Sequence, residues 1–139
     1  MLKFFHKRRP VDSDTVTASD AAAKAGDLFD RGFNCSQAVF QATTGRSDPE
    51  LIAMAEGFGG GIGDSGCLCG AISGGVMALG FAGKAKHSGE LIAAFKDTYQ
   101  TTCCRGLSKD YSWLSKDHLA NCRKVTVTTA RLVEQLLSK

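Results

Sequence analysis

The residues of this 139-residue chain best able to do chemistry are its six cysteines, Cys35, Cys67, Cys69, Cys103, Cys104 and Cys122. A chain of this length buries enough apolar surface to fold without cross-links, so stability alone does not explain them. A thiolate is both a nucleophile and a soft metal ligand. Cysteines that meet inside a fold therefore point either to dithiol/disulfide exchange or to binding of a metal or iron–sulfur cluster. Singly, each could instead be a small hydrophobe packed in the core. Several turned to the same interior weaken that reading.

Position along the chain sharpens the expectation. Cys35 and Cys69 fall near expected helix N-termini, where free N–H groups and the helix dipole lower a thiol pKa. Cys122 lies on the apolar stripe of a long final helix. Cys67-Leu-Cys69 and Cys103-Cys104 are not the C-x-x-C of thioredoxin-like enzymes, and paired zinc knuckles are absent from the sequence. If the helix carrying the adjacent pair is unbroken, Cys103 turns inward and Cys104 away. His118, four residues before Cys122, could ligate a metal or tune a thiol. On its own it reads as a half-exposed surface or capping residue, while His6 and His87 have no supporting context. Tyr111 and Trp113 read as packing for a loop, and Asp64 as a turn residue.

The elements that must position these groups are helical throughout, and no strand-like alternation interrupts them. Helices are expected at about 17–31, 35–44, 49–56, 69–82, 88–107 and 116–137. Ala22, Ala25 and Phe29 mark the inner face of the first, and Asn34 caps the second. Cys69, Ile72, Val76 and Leu79 form a stripe along the fourth, and Ser88 is expected to cap the fifth. Leu119, Cys122, Thr126, Thr129, Val133 and Leu136 do the same on the last. The expected fold is all-α, a single compact bundle of about five to six helices with one glycine-rich loop, EGFGGGIGDSGCLCG. Residues 1–14 read as a flexible basic lead and 15–139 as the helical domain.

The loop fails as a phosphate cradle, because neither a preceding strand nor a terminal Gly-Lys-Ser/Thr is present. Its glycines are better explained by close backbone approach to the cysteines. Gly70, Gly74, Gly75, Gly80 and Gly83 fit close helix packing. The formal charge of +3 owes much to Lys3, Lys7, Arg8 and Arg9, without the aromatic platform or basic stripe of a nucleic-acid binder. No apolar run is long enough to cross a membrane, and the N-terminus lacks a secretory signal's apolar core and cleavage site. The expected setting is cytoplasmic, without membrane insertion.

Order and spacing resemble the C_GCAxxG_C_C family, described as putative redox-active proteins, from about Ala18 to the C-terminus. The resemblance rests on FNCSQAV around Cys35, GFGGGIGDSGCLCGAISGGVMALG around Cys69, CRGL from Cys104 and HLANCRKV around Cys122. It implies that Cys35, Cys69, Cys104 and Cys122 are the signature positions and that Cys67 and Cys103 are extras. It further implies a glycine-containing break before the third cysteine, where this chain has Gln100-Thr101-Thr102, and such a break would rotate Cys104 inward. Family members are often linked to transporter genes. Similar domains in split-Soret cytochromes imply an iron–sulfur cluster; with no C-x-x-C-H here, c-type haem is not expected. The expected function is thus a redox-active thiol protein that exchanges disulfides with an unknown redox partner or holds a cluster or other thiophilic metal. The alternative is a non-catalytic helical module that binds a transporter or another protein.

Overall fold

Short polar caps and glycine punctuation divide the chain into helices in the computed structural model, which describes residues 20–139. The expected basic lead, 1–14, lies outside the described residues. The elements are α1 (Ala21–Asp30), α2 (Cys35–Thr44), α3 (Pro49–Glu56), α4 (Gly70–Phe81), α5 (Ser88–Tyr99), the single-turn α6 (Cys104–Leu107) and α7 (Lys116–Leu137), with 3-10 turns at Ile62–Asp64 and Ala85–His87. The fold is all-helical, as the sequence leads one to expect; no strand occurs among the described residues.

Local chemistry accounts for the starts of the helices that carry the site. Asn34 caps α2 reciprocally: its side chain accepts from Gln37 N–H, and the Gln37 side chain accepts from Asn34 N–H. Asn34 Nδ2 also donates to Glu56 O at 2.9 Å, tying the end of α3 to the start of α2. Pro49 sits in the first turn of α3, where its missing N–H costs nothing. Ser115 caps α7 by accepting from His118 N–H at 3.1 Å. His87 rather than Ser88 occupies the cap position of α5.

The core forms where α2 and α4 pack face to face with α7 across both; α1 lies on α2 and α7, and α5 on α4. Val39, Phe40, Ile72, Leu79, Leu91, Phe95 and Val133 are buried at its centre. Contact between α2 and α4 depends on Gly74, where an added Cβ would meet the Ser36 carbonyl group. Gly75 likewise faces Val133 and Leu91. Gly80 and Gly83 have no neighbour within 4 Å, so the expected packing role holds for the first two and not for these. Val76 is exposed, and Ala71, Ile72, Ala78 and Leu79 form the inward face of α4 instead. In α1, Ala21, Ala25 and Leu28 are the fully buried side chains, while Ala22 and Phe29 are half-buried.

The fifth helix is the main departure from periodicity. It stops at Tyr99, because Gln100 turns left-handed (φ 65°) and Cys103 is extended (φ −103°, ψ 136°) before α6 begins at Cys104. This resets the helical phase. Cys104 is thereby buried and Cys103 half-buried, the reverse of what an unbroken helix requires. A left-handed conformation costs a side-chain-bearing residue about 1 kcal/mol that glycine avoids. Gln100→Gly should therefore raise stability by about that amount, read as a higher urea midpoint at unchanged slope.

Candidate functional site

Cys35, Cys69, Cys104 and Cys122, the four positions that the resemblance singles out, line one cavity of about 30 Å³ between α1, α2, the glycine loop, α6 and α7. A buried water needs roughly 10–15 Å³ on this measure, so the space holds about two waters. Cys69 and Cys104 are buried, and Cys35 and Cys122 half-buried. Their supports come from different parts of the chain. Cys35 opens α2 immediately after the Asn34 cap, Cys69 ends the glycine loop just before α4, Cys104 opens α6 and Cys122 lies in the second turn of α7.

The glycine loop brings backbone against this cavity. Gly60 forms part of the wall and its N–H bonds to the Cys35 sulfur. A Cβ on Gly70 would lie 2.5 Å from Cys35 Sγ and equally close to Phe58 O. Gly61 adopts φ 85° beneath the Cys67 backbone, a conformation and a proximity that side chains do not tolerate. Close approach to the cysteines is thus what the loop accomplishes. Asp64, also left-handed at φ 62°, is the turn residue expected.

Electrostatically the four thiols are unequal, and not in the expected order. Burial and the neighbouring Cys104 push the Cys35 thiol up to about 11 despite its helix N-terminus. Cys69 is raised well above its ordinary value by its hydrogen bond to Cys104 and by burial. Cys122 is pushed up to about 12, chiefly by burial. Cys104 alone is lowered, to about 7, by the bond from Cys69 and then by the Gly70 N–H. The expectation of acidic thiols at Cys35 and Cys69 is corrected: loss of water outweighs the helix dipole there, and Cys69 serves as donor to its neighbour.

These shifts set a stability profile. A thiol raised in the folded state favours folding fully below its ordinary value of 9 and loses that contribution as pH climbs toward 11 for Cys35 and 12 for Cys122. Cys104, lowered to about 7, acts oppositely: its contribution is complete above pH 9 and disappears as pH falls through 7. Each group changes stability by about 1.4 kcal/mol per pH unit inside its window. Urea midpoints should therefore rise from pH 7 to 9 and fall above it, and Cys122→Ala should flatten the alkaline limb.

His118 is buried, which corrects the half-exposed reading. Its Nδ1 accepts from Leu114 N–H at 2.8 Å, and burial lowers its pKa. In the neutral ring the proton is then on Nε2, which points to Cys122 Sγ at 3.4 Å. Trp113 stacks on this imidazole at 4.3 Å between ring centroids and lines the cavity as well. Sequence reasoning assigned Trp113 only to loop packing, and a lone aromatic in a loop carries no periodic signal to say otherwise.

Beside the cavity lies a surface groove of about 380 Å³ with Arg105 and Lys109 on its walls. Ser108 and Trp113 border both spaces. Next in the chain to Gly66 of the groove wall, Cys67 is disulfide-bonded to Cys103, with Cα atoms 4.3 Å apart across a sequence separation of 36. As a donor set, four sulfurs and an imidazole suit a thiophilic metal. As placed, no three His, Cys, Asp or Glu side chains among the described residues are grouped to hold one ion.

Helical elements thus enclose a sulfur-lined cavity in which Cys104 is the one thiol of lowered pKa. The chain belongs to the C_GCAxxG_C_C family: residues 33–136 match its sequence profile, described as "Putative redox-active protein (C_GCAxxG_C_C)". Comparison with curated proteins and with solved structures found no match. No helix among the described residues is long and apolar enough to cross a membrane.

Proposed function

We propose that this chain is a dithiol/disulfide exchange protein in which Cys104 attacks and Cys69 resolves. The observation that carries the reading is the cavity itself: it is lined by four cysteines, two of which, Cys69 and Cys104, lie close enough to shift each other's thiols in opposite directions, Cys104 downward. The Cys104 thiolate attacks one sulfur of a partner disulfide, and the other partner sulfur leaves as thiolate. Cys69 then attacks Cys104 Sγ, its proton passing to the departing thiolates. One partner disulfide is reduced by two electrons and one Cys69–Cys104 disulfide is formed; the reverse sequence oxidises a partner. Cys35 and Cys122, held protonated in the same cavity, complete the set of thiols open to further oxidation.

The partner is a thiol or disulfide small enough, or extended enough, to reach the sulfurs past Ser108 and Trp113 from the outer groove. A cytoplasmic setting belongs to the proposal, since a disulfide there is more often a redox device than a structural one. A second reading has Cys35, Cys69, Cys104 and Cys122 holding an iron–sulfur cluster or another thiophilic metal. Their shared cavity favours it, and the side chains would have to close in around the metal.

Anaerobic purification followed by an optical spectrum, iron and sulfide analysis and a thiol count before and after mild oxidation separates the two. A colourless, metal-free protein that reversibly loses two thiols, with the loss abolished in Cys104→Ser, supports exchange. Iron with sulfide and charge-transfer bands would replace it with the cluster. Unreactive thiols and no metal would overturn both and leave a helical module that binds a transporter or other protein, its cysteines merely packed.

A further inference from the structure

We propose that the Cys67–Cys103 disulfide is the outer half of an internal relay, handing its bridge to Cys69 and Cys104 and serving as the port where outside thiols exchange electrons with the interior pair. The inference rests on the thiol-exchange reading and assigns a role to two cysteines outside the four-residue signature.

The geometry is a seam. Segments 66–69 and 102–105 are joined by backbone bonds, Cys69 N–H donating to Thr102 O at 2.8 Å and Arg105 N–H to Gly66 O at 2.9 Å. Arg105 Nη2 adds a bond to Ser65 O at 2.6 Å. Along this seam Cys67 bonds to Cys103, and one step away Cys69 and Cys104 line the same cavity, each perturbing the other's thiol. The outer pair is half-buried and the inner pair buried. The phase reset at Gln100 sends the adjacent Cys103 and Cys104 to different sides, so each completes a different pair.

The exchange balances without any outside oxidant. Cys104 thiolate attacks Cys67 Sγ, forming a Cys67–Cys104 bond, and Cys103 leaves as thiolate. Cys69 attacks Cys104 Sγ, forming the Cys69–Cys104 bond, and Cys67 leaves with the proton Cys69 gives up. Two S–S bonds form, two break, and the negative charge moves from Cys104 to Cys103. Chain entropy does not oppose the transfer, because the new bridge spans 35 residues where the old one spans 36.

The test uses the full chain carrying only the Cys67–Cys103 bridge, held anaerobically at pH 8, acid-quenched, alkylated and mapped by mass spectrometry. The expected result is a growing fraction of Cys69–Cys104 bridge, and in Cys69→Ser an accumulated Cys67–Cys104 bridge with Cys103 free. The relay is overturned if the original bridge alone persists while the Cys67→Ser/Cys103→Ser variant forms Cys69–Cys104 with oxidised glutathione. If that variant also fails to form it, while remaining helical by circular dichroism, the thiol-exchange reading is lost together with the relay.

Discussion

Iodoacetamide at pH 7 is expected to label Cys104 about a hundredfold faster than Cys35, although Cys104 is the more buried of the two. With a pKa of about 7 Cys104 is roughly half ionised at that pH, whereas Cys35, at about 11, is ionised to about one part in ten thousand. Lower basicity also means lower intrinsic nucleophilicity, and a Brønsted slope of about 0.4–0.5 over this interval returns about two of the four orders of magnitude. The remainder is the predicted ratio, read by peptide mapping after short labelling times. Cys69→Ala should move the Cys104 midpoint up toward the ordinary thiol value, and Cys69→Ser, which keeps a donor, should move it less. Equal labelling of the two cysteines, or a Cys104 midpoint near 9 in the unaltered protein, would refute the assignment of Cys104 as the attacking thiol.

The largest expected effect on stability is at Gly74. Gly74→Ala places a methyl group against the Ser36 carbonyl group, and backbone on both sides of that contact leaves nothing able to swing away. Overpacking of this kind costs about 3 kcal/mol. Gly80→Ala on the same helix meets no atom within 4 Å and should instead gain about 1 kcal/mol of helix propensity. Chemical denaturation of the two variants should therefore move the midpoint in opposite directions. A shift of the same sign in both would show that α2 and α4 do not depend on that contact.

Much of this fold is legible in the sequence because its local signals agree. Asn34, Pro49 and the stripe ending at Leu136 place α2, α3 and α7 with the bounds that the structure has. Two parts of the site were legible only in outline. The end of α5 has no glycine or proline to mark it, and Gln100 takes the left-handed position under tertiary demand, so periodicity alone turns the wrong member of Cys103-Cys104 inward. Resemblance to the family supplied the break that local propensity did not. The acidities of Cys35 and Cys69 escape the sequence for a different reason. Helix position is visible in sequence, but the larger influences, the Cys104 sulfur beside Cys69 and loss of water around Cys35, depend on how the elements close together. Pairing of Cys67 with Cys103 had no local signal, since α4 and α5 intervene.

Trp113 makes the cavity observable. It is the chain's single tryptophan, and it lies on His118 at the border of the sulfur-lined space. Excitation at the red edge of the ultraviolet band reports from this one indole, whose emission responds to nearby thiolates, disulfides and imidazolium. The protein thus carries its own fluorophore beside its chemistry, and a change of bridge or of protonation among the cysteines can be followed in real time without a label.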